Sequence, residues 1–557
     1  MAKDQWDSLP AMLFDRARAW PDRPMLRYWR GGAWQSMPWG AFAEAVARIA
    51  AWLRANGVQP GDRVLLVAEN RPEFPIADTA IMAIGAVTVP TYTTNTAADH
   101  AHILNDSGAR AAIVSTAKLA ETIDRAAAET GLDLRLCMQP HAGWHDWATA
   151  DATPADAAML MAEAETIPPG RLACLIYTSG TGGSPKGVML PHRAMLANRA
   201  GVAVVAERLH LDGTCYLSFL PLSHSYEHTV GGFLLPSLGI EVVYSRGADR
   251  IAGEFAEIRP SVVTAVPRLF EVLRARMLAQ REKQSPMAQR LFDMAVALGL
   301  RRMDGPRFGP LTWAADRILD RLVRQKIRDR FGGNLLAMVS GGARLDPDLS
   351  GFFMALGLPV LQGYGQTEAG PVISVNLPWD NHRRTVGPPL PGVEARIAED
   401  GELLVRGALV MDGYWNNPAA TATAIQDGWL HTGDVGTLAD GRLTITDRKR
   451  DFIKTLGGDM VSPAKLETLL MAEPEIAQAV VAGEGMAGIV ALLVPAEGAK
   501  ADVAVKRVNA RLSGIERIRH TTVVPPFTVE NGLLTPTMKV KRRAVIEAHA
   551  GVIAGMR

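Results

Sequence analysis

Tyr177-Thr-Ser-Gly-Thr-Gly-Gly-Ser-Pro-Lys-Gly187 follows a short apolar run, Leu172 to Ile176, and precedes a helical pattern beginning near Pro191. It holds four glycines, hydroxyls at positions 178, 179 and 181, and a single lysine. Glycines let the backbone turn its N–H groups toward one point, and hydroxyls with a lysine complete an anion cradle. The common ATPase P-loop sets Gly directly before its Lys and Ser or Thr after it. Here Lys186 stands between Pro185 and Gly187. An isolated Gly/Ser stretch would read as a plain surface loop. With Thr178, Ser179, Thr181 and Lys186 gathered in one turn after a strand, this one reads as a phosphate-binding loop.

On its N-terminal side, Phe42, Val46, Ile49 and Leu53 recur at helical spacing, so 41–55 is expected to be an amphipathic helix. Strands are expected at 64–68, 86–89 and 111–115, with helical patterns between them. Strands alternating with helices predict parallel sheets covered by helices on both faces. The stretch 140–168, rich in Ala, Asp, Pro and His, reads as a loose connection. On the C-terminal side the alternation resumes through 216–220, 240–244 and 262–266, then a largely helical, Arg-rich segment over 267–330. Strands near 335–339 and 359–362 lead into Ser340-Gly-Gly-Ala343 and Gly363-Tyr-Gly-Gln-Thr-Glu368. Open parallel sheets bind ligands beyond the carboxyl ends of their strands. The loops 177–187, 340–343 and 363–368 each follow such a strand, so one shared site is expected there.

From about 385 short strands separated by Gly and Asp turns predict a small β subdomain, to 446. A domain boundary is placed at Asp447, where a charged run, Asp447 to Lys454, precedes Gly457-Gly458. The reading is therefore α/β: a large N-terminal domain (1–446) of parallel layered sheets, then a small mobile α+β C-terminal domain (447–557).

The 557 residues carry a net charge of +1, which gives no pull toward nucleic acid. Three widely spaced cysteines (137, 174, 215) lack zinc-site spacing and suit a reducing compartment. No signal-peptide pattern opens the chain and no apolar run is long enough to span a bilayer. The expectation is a cytoplasmic enzyme. Contact with the inner membrane surface and a homodimer stay open.

Gly363 to Glu368 nearly matches the dinucleotide fingerprint, but Glu368 replaces its third glycine. A carboxylate there would repel a pyrophosphate unless Mg²⁺ lay between them. Glu368 is therefore read as a magnesium ligand and Thr367 as a phosphate contact, against a plain strand-to-helix turn. His224-Ser-Tyr-Glu-His228 fits a zinc-protease pattern by five residues only, with no third ligand signalled. A histidine lining a carboxylate pocket is preferred, with His228 structural. Gly428 to Asp434 puts a carboxylate after a glycine turn, where it could accept from ribose hydroxyls. Lys539 follows a Thr-Pro-Thr turn near the C-terminus and is the candidate for reaching another domain's site, whereas Lys541, Arg542 and Arg543 read as solvated.

In order and spacing, Tyr177–Gly187, Ser340–Ala343, Tyr364–Glu368, Gly428–Asp434, Asp447–Lys454 and Lys539 resemble the adenylate-forming superfamily: acyl-CoA synthetases, luciferases and peptide-synthetase adenylation domains. Phe219-Leu-Pro-Leu-Ser-His224, Ala265-Val-Pro-Arg-Leu-Phe270 and Gly532-Leu-Leu-Thr-Pro-Thr537 look most like its long-chain fatty acid–CoA ligase branch. The resemblance implies fatty acid, ATP and coenzyme A as substrates, Mg²⁺ as cofactor, and two steps: acyl-AMP with release of pyrophosphate, then a CoA thioester. By position it implies Mg²⁺ on Thr181 and Glu368. It puts the β- and γ-phosphates on Thr178, Ser179, Gly180, Thr181, Gly182, Gly183 and Lys186. Thr367 falls to the α-phosphate. Gly341, Gly342, Ala343, Gly363, Tyr364 and Gly365 would line the nucleotide, and Asp434 and Arg448 its ribose. His224 would flank the acyl carboxylate, and Lys539 would bridge it to the α-phosphate. Asp447 would be the hinge that later removes Lys539 and presents Gly457-Gly458 to CoA. One departure stands out: position 182 is Gly where the family has Thr or Ser, which removes one hydroxyl from the phosphates. Two rivals follow. One is an acyl-AMP ligase that passes the acyl group to a carrier protein. The other is a fatty-acid- and ATP-binding protein with a degenerate site.

Overall fold

The computed structural model describes residues 5–128, 130–178, 185–247, 249–305, 308–449, 451–456, 460–535 and 539–556. Two eight-stranded sheets dominate it. In the first, strands Pro24–Arg30, Glu241–Tyr244, Cys215–Ser218, Val262–Ala265, Ala337–Ser340 and Val360–Gly365 run parallel side by side, with an antiparallel strand at each edge. In the second, Leu172–Thr178, Val87–Pro90, Arg63–Val67, Ala111–Val114 and Leu134–Cys137 are parallel neighbours. The two-residue period of a strand sends alternate side chains to opposite faces, and both faces here are apolar. In the second sheet, Val64, Leu66 and Ile113 join the core shared with helices Leu9–Ala19, Trp39–Ala55 and Glu73–Ala83. Leu65, Val67 and Val114 point the other way, onto Ala97–Ser107 and Ala117–Ala126. The first sheet repeats the arrangement: Tyr216 and Val242 face the shared core, while Leu217, Val263 and Met338 cover the outer helices. The result is a layered α/β architecture with one helical layer between the sheets.

The helix expected near Pro191 begins at His192, and before it stands a strand that the sequence reading did not place, Lys186–Pro191, antiparallel to Leu172–Thr178. Its other edge pairs with Gly413–Tyr414. One expectation of the fold needs correction: 140–168 is not loose. It holds helices Trp147–Ala150 and Ala157–Ala164, capped by the Asp146 and Asp156 side chains, with Trp147, Leu160 and Ala164 buried in the shared core. Their Ala- and Asp-rich sequence hides this order because docking, not propensity, stabilises such short helices.

Strands Glu394–Ile397, Glu402–Arg406, Ile425–Gln426, Trp429–Ala439 and Arg442–Arg448 form a small antiparallel sheet. Beyond it, a three-stranded sheet (Ile476–Ala482, Ile489–Pro495, Ile518–Val523) has two cores of its own. Val481 and Leu493 face one of them, and Val480 and Leu492 the other. No helix among the described residues is long and apolar enough to cross a membrane.

Candidate active site

A large cleft of about 2280 Å³ opens at the carboxyl ends of the parallel strands, against the small antiparallel sheet and the C-terminal segment. Thr178, Lys186, His224, Gly341, Gly342, Ala343, Gly363, Tyr364, Gly365, Thr367, Glu368, Asp434, Asp447, Arg448 and Lys539 all line it. Residues more than 350 positions apart in sequence thus share one space. Ser179, Gly180, Thr181, Gly182, Gly183, Gly457 and Gly458 lie outside the described residues.

The tight turns are built from glycine because no side chain fits. A Cβ on Gly365 would sit 1.9 Å from the Pro371 carbonyl oxygen, and one on Gly341 would sit 3.0 Å from the Tyr226 ring. Gly342 has φ +78°, and its Cβ position would lie 3.6 and 3.7 Å from Lys539 Cε and Nζ. The lysine near the chain's end therefore reaches the glycine turn at 340–343. Its backbone is held by Thr535, whose hydroxyl accepts from Lys539 N–H at 3.0 Å and whose own N–H donates to the Lys539 carbonyl at 2.7 Å.

Burial, reinforced by the neighbouring Arg448 and only partly offset by Asp434, pulls the Lys539 ammonium down to about 8. A desolvated cation with no tight carboxylate partner among the described residues favours an incoming anion. His224 lies in the same field: burial first, then Lys539, push it down to about 3, so it is neutral. It caps helix Ser225–Thr229 by accepting the Tyr226 N–H on Nδ1 at 3.2 Å. That bond fixes the tautomer and leaves Nε2–H as a donor.

Asp434 sits within a strand, opposite Arg448 on its neighbour. Its carboxylate accepts from Tyr364 OH at 2.5 Å and pairs with Arg448 Nε at 3.3 Å. Burial raises its pKa, against the pull of Arg448. Glu368 accepts from Tyr414 OH at 2.9 Å, and Lys186 Nζ lies 5.0 Å above the Tyr414 ring, so this tyrosine links the two. Thr367 Oγ1 is 2.9 Å from Ser225 Oγ. Asp447 accepts from its neighbour's N–H, Arg448, at 2.7 Å and from Ser462 Oγ, the N-cap of helix Pro463–Met471. His228 is interior, its Nε2 2.9 Å from Asp78 Oδ2.

Four residues escaped the sequence reading. Ser225 and Tyr226 stood inside a motif tested only for metal binding, yet Ser225 meets Thr367 and Tyr226 donates to the Val339 carbonyl at 3.2 Å. Glu227, from the same motif, is buried beneath them. Tyr414 had no local signal at all, since only the pairing of Gly413–Tyr414 with the strand after the phosphate loop brings it to Glu368.

The chain matches the family model described as AMP-binding enzyme over residues 13–415, and that described as AMP-binding enzyme C-terminal domain over 450–556. It is 36% identical to long-chain-fatty-acid–CoA ligase FadD15 of Mycobacterium bovis, over 98% of this chain and 96% of that protein. It is 30% identical to the peroxisomal long chain acyl-CoA synthetase 7 of Arabidopsis thaliana, over 94% of this chain and 82% of that one. Among solved structures, ATP-bound MatB from Rhodopseudomonas palustris shares its fold with a TM-score of 0.76 at 24% identity, over 98% of this chain and 99% of that one.

Proposed function

Because the chain belongs to the AMP-binding enzyme family, we propose that it is an ATP-dependent long-chain fatty acid–CoA ligase, forming acyl-AMP and then the CoA thioester. The observation that carries the reading is the convergence of Lys539 with His224, Thr367, Asp434 and Arg448 in one cleft. A carboxylate is a poor electrophile, and activation as a mixed anhydride with AMP gives it a competent leaving group. In the first step a carboxylate oxygen attacks the α-phosphorus and the bond to pyrophosphate breaks, so negative charge moves onto phosphate oxygens. Preorganised donors in a site that excludes water stabilise such charge. We assign Lys539 to the charge shared by the carboxylate and the α-phosphate, Thr367 to the α-phosphate, and Nε2–H of His224 to the acyl carboxylate. Thr178 and Lys186 hold the leaving pyrophosphate. Asp434, tensioned between Tyr364 and Arg448, accepts from the ribose hydroxyls, and the Gly341–Ala343 turn and Tyr364 frame the base.

The donor set also fits Mg²⁺: Glu368 offers a hard carboxylate oxygen at the cleft, and Mg²⁺ is commonly held by one or two carboxylates plus substrate phosphates. When bound, the ion neutralises phosphate charge. Asp447 is the hinge of the second step in this reading: it links the small antiparallel sheet to helix Pro463–Met471 through Ser462. Turning there would withdraw Lys539 and open the site to CoA.

The test is AMP release and thioester formation with ATP, acids from acetate to palmitate, and either CoA or a carrier protein as acceptor. The expected result is thioester on CoA with long acids preferred. Thioester on the carrier alone, or a preference for acetate, would overturn the assignment.

A further inference from the structure

Three residues beyond Lys539 stands a cation that is not in water. The sequence places Lys541, Arg542 and Arg543 together in solvent, and Lys541 and Arg543 are indeed exposed. The Arg542 side chain is only 17% exposed, and it lines the same cleft as Lys539. One arm of its guanidinium pairs with Glu467, itself 19% exposed, and the other donates to the Val481 carbonyl. Val481 lies on Ile476–Ala482, an edge strand of its sheet, and its N–H donates to the same Glu467 oxygen at 2.9 Å. An edge strand presents N–H and C=O groups with no neighbouring strand to take them. At Val481 one ion pair takes both.

Each partner in this pair leads toward the site. Glu467 belongs to helix Pro463–Met471, whose N-cap Ser462 donates to the hinge residue, Asp447. Burial, with Arg542 the main pull against it, sets the Glu467 carboxyl at about 7, and Asp447 and Asp451 are near enough to push it upward. Arg542 opens helix Arg542–Ala548, directly after the segment that carries Lys539. On its other side that segment is tied by the Lys541 N–H, which donates to the Leu533 carbonyl at 2.8 Å, and by the bridge between Leu534 and Val540. Hinge and lysine are thus joined by a continuous run of contacts through Ser462, Glu467 and Arg542. An arginine fork suits this place because it takes a carboxylate and a carbonyl at once in a fixed plane, whereas a lysine offers a point charge.

We propose that Arg542 is a positioning residue: clamped between Glu467 and the Val481 carbonyl, it holds the Lys539 ammonium at the Gly342 turn and makes this lysine move as one body with the helix that starts at the hinge. Without the clamp the sheet of the small domain stays folded, but Lys539 slips toward water. The role of Lys539 in adenylation rests on the ligase reading; its position does not.

The first test therefore uses no turnover. The full chain is labelled competitively with acetic anhydride across a range of pH, and acetylation of Lys539 is followed by mass spectrometry. The charged and titratable groups that face Lys539 are Arg448, Asp434 and His224, all on other elements, so its midpoint reports where its own amine is held. The native midpoint is expected at about 8. In Arg542→Ala it should rise by about one unit or more toward the ordinary 10.5. Arg542→Lys keeps a charge for Glu467 but lacks the fork, so its midpoint should rise as well. Amide hydrogen exchange over residues 476–495 checks that the sheet is folded; if Arg542→Ala loses it, Arg542→Lys alone decides. A native midpoint in the folded variants would overturn the proposal.

Pyrophosphate exchange gives the second test. Arg542→Ala should lower kcat about tenfold or more with the Michaelis constant for ATP within about twofold, and should cause no further loss when added to Lys539→Ala. A full additional loss in the double variant would overturn the proposal, since Arg542 would then act apart from Lys539. No exchange by the native chain would overturn the ligase reading instead, and the labelling midpoints would still decide the clamp.

Discussion

Glu227 is the buried residue whose replacement should report most directly on how the site is held. Its carboxylate is fully buried under the helix that carries His224, Ser225 and Tyr226. Tyr216 OH lies 2.6 Å and Thr264 Oγ1 3.0 Å from one oxygen, and Ser218 Oγ lies 2.5 Å from the other. Tyr216 and Thr264 also contact one another, so two hydroxyl protons serve a triangle of three oxygens. A protonated Glu227 completes that triangle. Burial, opposed by these hydroxyls, pushes its pKa from the ordinary 4.5 up to about 7. A carboxyl raised on folding contributes its full share below pH 4.5 and loses it as pH rises toward 7. The shift corresponds to about 3 kcal/mol. Glu227→Gln keeps the shape and stays neutral, so it should remove this pH dependence. All twelve tryptophans precede Asp447, so urea unfolding followed by tryptophan fluorescence reports on the region concerned. Relative to the native protein, Glu227→Gln should gain about 3 kcal/mol between pH 4.5 and pH 8. Glu227→Leu leaves the Ser218 hydroxyl and one of the Tyr216–Thr264 pair without an acceptor, and should be destabilised by about 3–5 kcal/mol with the Michaelis constant for the acid raised. Parallel pH profiles for the native protein and Glu227→Gln would refute the reasoning.

Lys539→Ala should cut acyl-AMP formation by about a hundredfold or more while leaving thioester formation from supplied acyl-AMP within a few fold. Equal loss of both half-reactions would count against the hinge. With its pKa at about 8, the Lys539 cation is depleted as pH rises. Adenylation kcat/KM should therefore fall through that range, and Lys539→Arg should shift the fall upward; identical profiles would assign the titration elsewhere. Tyr364→Phe removes the 2.5 Å bond to Asp434 and should raise the Michaelis constant for ATP about tenfold, with the fold intact by circular dichroism. Gly365→Ala puts a methyl group 1.9 Å from a backbone oxygen, so it should displace Thr367 and abolish adenylation; full activity would show that the turn yields.

The sequence by itself determined the class of fold and picked out many of the residues that line the cleft, because both rest on short-range signals. Short apolar runs alternating with helical patterns marked the strands between residues 64 and 115, and glycine-rich turns after strands located Gly341, Gly363 and their neighbours. The departure of Glu368 from the dinucleotide pattern was enough to turn the reading from nicotinamide to magnesium. Tertiary structure alone decided three things. It made Lys186–Pro191 a strand, held by pairing on both sides. It ordered the Ala- and Asp-rich stretch before the phosphate loop by burying Trp147 and Leu160 against a distant core. It also turned scattered residues into partners: Tyr414 with Glu368, Ser225 with Thr367, and Lys539 with the glycine turn at 342. No periodicity encodes those meetings. They arise where the ends of parallel strands, an edge strand and the segment carrying Lys539 close on one cleft, and only the folded chain brings them within a few ångströms.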